Sequence, residues 1–309
     1  MPYRFRKSDA TVEAGMRRMA CEQIDQALES LAAAGDARVG AVHDIRKRCK
    51  KLRGLVRIVQ PRFSGYSEEN AAFRQIAALL GGARDAGVMQ DTFDAVMKDH
   101  DGAMEPSDIA PVRAALTRQR NAELDRSGLD AAFAEARRRI EAARERADSW
   151  TLKADGWEAL SPGVAKTYGR ARKAMRKTTR KPSGENHHDW RKWVKYHWYH
   201  ARLLRDLWPD HMKQRAEDAH TLAELLGDHH DCHVFEQTIR ADPDAYGSAD
   251  TVETVIKLTR RRRALLEEQA HRLGARLQAE RTDALVDRWG AWWEAWTREG
   301  DLQKAELRR

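Results

Sequence analysis

The chain has 309 residues, of which 34% are charged and 41% hydrophobic, room for one large domain or two of about 150. No apolar run approaches the length of a membrane span, and the first fifteen residues lack the apolar core of a secretory signal. A net charge of +8 comes from 56 Lys and Arg against 48 Asp and Glu, so the placement of charge matters more than its total. The three cysteines, Cys21, Cys49 and Cys232, form no C-x-x-C pair and read as free thiols of a reducing, cytoplasmic compartment.

Apolar residues recur at helical spacing, and no segment alternates as a strand would. Helices are predicted over residues 12–33, 39–60, 67–99 and 108–146, the last broken at Gly128. A second set is predicted over 163–181, 186–207, 210–240 and 248–297, the final stretch as one bent helix or two. Between the sets, DSWTLKADGWEALSPG interrupts the periodicity with Gly, Pro and Ser. The expected fold class is all-α, with two tandem four-helix bundles, residues 1–150 and 151–309.

The two sets repeat each other. At an offset of 145, His43, Asp44, Arg46, Lys47, Lys50 and Arg57 coincide with His188, Asp189, Arg191, Lys192, Lys195 and Arg202. At an offset of 146, Leu79-Leu80-Gly81, Asp85 and Val88 coincide with Leu225-Leu226-Gly227, Asp231 and Val234. Two matched segments in the same order, at nearly the same spacing, indicate a tandem duplication of a unit of about 145 residues.

Six of the eight residues from 46 to 53 are Lys or Arg. On a helical wheel, Val42, Ile45, Cys49, Leu52, Val56 and Val59 form an a/d-type seam that should face a core. His43, Arg46, Lys47, Lys50, Arg53 and Arg57 form a separate stripe, within an arc of roughly 120°. Gly54 lies in that arc and would let something approach the backbone. Like charges at these spacings repel, and the stripe carries few acidic residues to relieve them. In the second copy the seam has changed to Trp190, Val194, His197, Ala201 and Leu204, while the basic positions recur. Charge kept better than core suggests a polyanion-binding face. Arg18, Arg172 and Lys173 are further basic candidates.

The paired H-D-x-R-K-x-x-K segments, with TYGRARKAM ahead of the second and LGDHHD after it, resemble the CHAD domain, the conserved histidine α-helical domain. The resemblance covers nearly the whole chain. It implies two four-helix bundles related by a pseudo-twofold axis, whose basic faces line a central groove or pore that binds inorganic polyphosphate. Members are associated with polyphosphate granules, and many are fused to a CYTH-type triphosphatase. The N-terminus here has no E-x-E-x-K motif, so a stand-alone, non-catalytic member is expected, located in the cytoplasm at polyphosphate granules. His43, Arg46, Lys47, Lys50, Arg53 and Arg57 match the first family motif. His188, Arg191, Lys192 and Lys195 match the second, where Trp198 replaces Arg53 and His197 replaces Leu52.

Three other readings compete. His229 and His233, four apart, could share a metal ion; no metal or cofactor is expected, and Asp231 is expected to pair with a basic helix instead. The histidines are similar to those of HD-type phosphohydrolases acting on polyphosphate or triphosphate, but the Arg and Lys after each His-Asp would oppose a dication. Nucleic acid is the remaining rival, without a helix-turn-helix, zinc-finger or RNP signature. Trp289, Trp292, Trp293 and Trp296 share one helix face. Burial is its expected role, with contact to a second copy or a granule as the alternative.

Overall fold

The computed structural model describes residues 3–32, 37–126 and 128–306. Among them are eleven α-helices and no strand: α1 (Val12–Ser30), α2 (Ala37–Ile58), α3 (Tyr66–Leu79), α4 (Gly82–Asp99), α5 (Pro106–Arg126), α6 (Leu129–Ala147), α7 (Gly156–Arg180), α8 (Gly184–Leu203), α9 (Pro209–Ala241), α10 (Ala249–Leu277) and α11 (Thr282–Glu306). None is long and apolar enough to cross a membrane.

The helix starts follow local chemistry. Thr11, Ser183 and Ser248 sit in extended backbone and accept from the amides of Ala14, Asn186 and Thr251. The predicted helix over 67–99 divides at Gly81 into α3 and α4, whereas the matching second-half segment runs through Gly227 as the single 33-residue α9. The break at Gly128, which has a φ of 50°, is present. The last predicted stretch is two helices, α10 and α11.

Every residue of the α2 seam is buried, and so are its five counterparts on α8. The first seam and all of the second but His197 belong to one apolar cluster that runs from Tyr3 to Trp296 through both halves of the sequence. A second cluster joins Phe93, Val112 and Leu116 of α4 and α5 to Phe235, Ile239 and Val255 of α9 and α10. Helices from the two halves therefore share their cores. Helices α2 and α8 cross at Gly54, where a Cβ would lie 2.8 Å from the Cβ of Tyr199. The backbone approach expected at Gly54 is made by a tyrosine at the equivalent position of the other copy. Trp289, Trp293 and Trp296 are buried as expected, while the half-buried Trp292 stacks on His211 and meets Trp208 edge-on. Cys21, Cys49 and Cys232 are free.

Candidate functional site

The apolar seam of α2 fixes its rotation, so the basic stripe turns toward α8 and α9. There His43, Arg46, Lys47 and Lys50 meet Arg191 and Lys195 of α8 across an open cleft of about 420 Å³. The wall between them is completed by Trp198 and Tyr199, and by His220, Glu224, Asp228 and Asp231 of α9. Six of the candidate residues, drawn from both copies, thus line one site.

The two arginines are set by glycines. Arg46 donates through Nη1 to the carbonyl of Ala77, in the last turn of α3. That guanidinium passes Gly81, where a Cβ would come within 3.4 Å of Nη1. Arg191 lies closer to its own glycine: a Cβ on Gly227 would sit 2.8 Å from Nη2 and 3.2 Å from Cζ. The repeated Leu-Leu-Gly therefore belongs to the same device as the repeated Arg, since its glycine leaves the slot the guanidinium occupies. The sequence match displayed both halves of this pair but not their contact.

The expectation that the stripe lacks acidic relief holds along its own helix only. Glu224, Asp228 and Asp231, four and then three residues apart, place carboxylates on the face of α9 that borders the cleft. Asp231 thus borders the cleft opposite the basic helices. The side chain of its counterpart Asp85 lies outside the described residues. Five Lys and Arg against three carboxylates leave the lining net positive.

The other eight candidates are placed elsewhere. Arg53 donates to Asn70 Oδ1 at 3.2 Å and to the Tyr196 hydroxyl at 2.8 Å. Arg57 is only 9% exposed, its guanidinium 4.0 Å from the Tyr196 ring centre and within 5.4 Å of Trp193 and Tyr66. It is a cation in an aromatic cage within the core. Arg18 binds Asp9 at 2.7 Å and Glu22 at 3.2 Å. Arg172 donates to the Gln278 carbonyl beyond the end of α10 at 3.0 Å. Lys173 is exposed on α7, away from the cleft. Lys192 pairs with Asp189 on its own helix. His188 packs its ring against His230, with centroids 5.0 Å apart. Arg202 covers Trp198 and lines an adjoining cleft of about 540 Å³ with Arg4, Arg205 and Lys213. Trp198 and His220 border both clefts, so the basic surface continues past them.

Lys51, inside the basic run, faces inward. Burial, followed by the charges of Arg48 and Arg202, pushes its ammonium down to about 8. His229 and His233 do not converge as a metal pair. His229 faces Glu267 at 3.8 Å, whereas His233 packs on Gly184 and lies 3.4 Å from Arg263.

The family model for the CHAD domain matches residues 18–240. The solved structure of PptA from Streptomyces chartreusis aligns with a TM-score of 0.62 at 15% identity, over 87% of this chain and 98% of that one. The CHAD domain from the plant Ricinus communis aligns at 0.59 and 15% identity, over 91% of this chain and 98% of its own. At such identity the likeness is one of fold. No curated protein matches.

Proposed function

Because the chain belongs to the CHAD domain family, we propose that it binds inorganic polyphosphate along the α2–α8 cleft, without turning it over, and associates with polyphosphate granules in the cytoplasm. The observation that carries this reading is the convergence of both copies of the basic stripe on one cleft. Polyphosphate is a linear polyanion with charge on every unit and no bases to read. Arg46 and Arg191, held in glycine slots, offer planar forks to phosphate oxygens, and Lys47, Lys50 and Lys195 add point charges. The binding-only reading rests on the surroundings of His43, where Arg46, Lys47 and Lys50 oppose a catalytic dication.

The test compares long-chain polyphosphate with single- and double-stranded DNA of matched charge at physiological salt. Preference for polyphosphate, with affinity falling steeply as salt rises, is expected. Equal affinity for all three would reduce the cleft to a generic basic surface. Phosphate release with Mg²⁺ or Mn²⁺ that EDTA abolishes would replace the binding-only reading with hydrolysis.

A further inference from the structure

A second cluster of chemistry lies on the buried seam of α8, away from the basic stripe. His187 of α8, His229 of α9, and Glu267 and His271 of α10 meet there. His187 is 1% exposed and His229 4%. Their rings stack with centroids 4.0 Å apart. In the first copy the position of His187 is Val42, an ordinary core residue.

The hydrogen bonds fix which ring nitrogens carry protons. His187 Nδ1 lies 2.8 Å from the Ser183 carbonyl, which can only accept, so Nδ1 holds the hydrogen. Its Nε2 then presents a lone pair, makes no hydrogen bond among the described residues, and lies 3.3 Å from Glu267 Oε1. His271 repeats the arrangement. The Thr179 hydroxyl donates to the Met175 carbonyl, so at 3.4 Å it accepts from His271 Nδ1. His271 Nε2 is left facing the same Glu267 oxygen at 3.9 Å. Two imidazole lone pairs directed at one carboxylate repel unless a positive centre sits among them. A shared proton satisfies only one imidazole, whereas a metal ion satisfies both.

We propose that His187, Glu267 and His271 bind one divalent transition-metal cation of the zinc type, joining α8 to α10. Their ligand atoms all lie within 4.8 Å of one another. Bonds of about 2.0–2.1 Å in tetrahedral geometry place ligand atoms about 3.4 Å apart, close to the His187–Glu267 separation. His229, with Nε2 3.8 Å from the other Glu267 oxygen, borders the remaining coordination position. Backbone and hydroxyl partners on Nδ1 are the outer contacts that orient ligating histidines. Two imidazoles and one carboxylate select zinc-like ions over Mg²⁺ and Ca²⁺. Arg263, the cation beside His233, is held by Glu236 at 2.9 Å, which offsets its charge.

The experiment strips the full chain with a chelator and titrates Zn²⁺ without polyphosphate, reading stoichiometry by calorimetry and elemental analysis and using Co²⁺ as a coloured probe. One equivalent per chain is expected, undisplaced by excess Mg²⁺. His271→Ala and Glu267→Gln should each weaken binding at least about tenfold. Zn²⁺ should raise the Tm of the parent and not that of Glu267→Gln, which keeps the side-chain shape. Asp228→Asn, in the cleft, should bind as the parent does. Absence of stoichiometric binding, unchanged affinity in both His271→Ala and Glu267→Gln, or loss of the ion in Asp228→Asn would each overturn the proposal.

Discussion

Helices α2 and α8 carry matching stretches of sequence and differ in an ordered way. Both keep an arginine threaded past the glycine of a Leu-Leu-Gly and a lysine one turn on, and these four side chains reach the cleft. Around them α2 contributes His43 and Lys47 as well, while α8 contributes Trp198 and Tyr199. Inside, the apolar Val42, Leu52 and Leu55 of α2 correspond to His187, His197 and His200 of α8, all buried. A core position tolerates a polar group when a partner is supplied, as His197 receives Arg215 Nε at 2.9 Å. At the cleft, Arg46 and Lys50 keep their identity as Arg191 and Lys195.

The comparison can be broken most directly by matched charge reversals. Arg46→Glu with Lys50→Glu should weaken polyphosphate binding by about 100-fold or more, and Arg191→Glu with Lys195→Glu by about tenfold, because α2 brings four groups to the cleft and α8 two basic ones. Circular dichroism should show helicity intact in both. Equal losses would mean that the halves contribute alike despite their different linings.

The buried histidines sharpen the comparison in acid. Burial, then the charge of Arg57, pushes His200 down to about 3, against about 6.5 for a histidine in the unfolded chain. Between those values the unfolded chain binds a proton that the folded one refuses. Stability is therefore intact near neutrality and falls as pH drops through this window. His200→Leu installs the residue of the first copy. It should reduce the loss between about pH 7 and about pH 4 by on the order of 2 kcal/mol, read from urea midpoints. An unchanged acid response would remove His200 as its source.

The smallest effect expected is at the glycine slots. Gly227→Ala puts a methyl 2.8 Å from the Arg191 guanidinium, while Gly81→Ala leaves 3.4 Å to Arg46. Gly227→Ala, inside α9, gains about 1 kcal/mol of helix propensity, whereas Gly81 caps the start of α4 and a methyl there gains none. Polyphosphate affinity should nonetheless fall by roughly threefold to tenfold for Gly227→Ala, about 1 kcal/mol, and less for Gly81→Ala. The opposite order would show that the second slot yields more easily than its spacing implies.

Periodicity made the seams, the stripe and most helices legible, because a helix that buries one face must repeat its apolar residues at that spacing. It could not supply neighbours. Arg57 shares the α2 stripe, yet Tyr66, Trp193 and Tyr196 arrive from α3 and α8 and enclose it. Arg18 looked like a free cation until Asp9 and Glu22 closed on it. The break at Gly81 and the continuous helix at Gly227 share the same Leu-Leu-Gly, so the motif alone does not decide helix termination. His187 lies 84 residues before His271, and only the packing of α8 and α10 against α9 brings them and Glu267 together.

Gly54 and Tyr199 occupy equivalent places in the two copies, and they touch. In a pairing of two identical units, such a contact would be made by the same residue twice. Two glycines would leave a hole the size of a phenol ring. Two tyrosines would collide, since even a lone Cβ on Gly54 falls 2.8 Å from its opposite number. The pair is a knob and a socket with different owners, a shape that symmetry forbids and covalent fusion permits. Halves expressed as separate chains would accordingly choose each other over themselves.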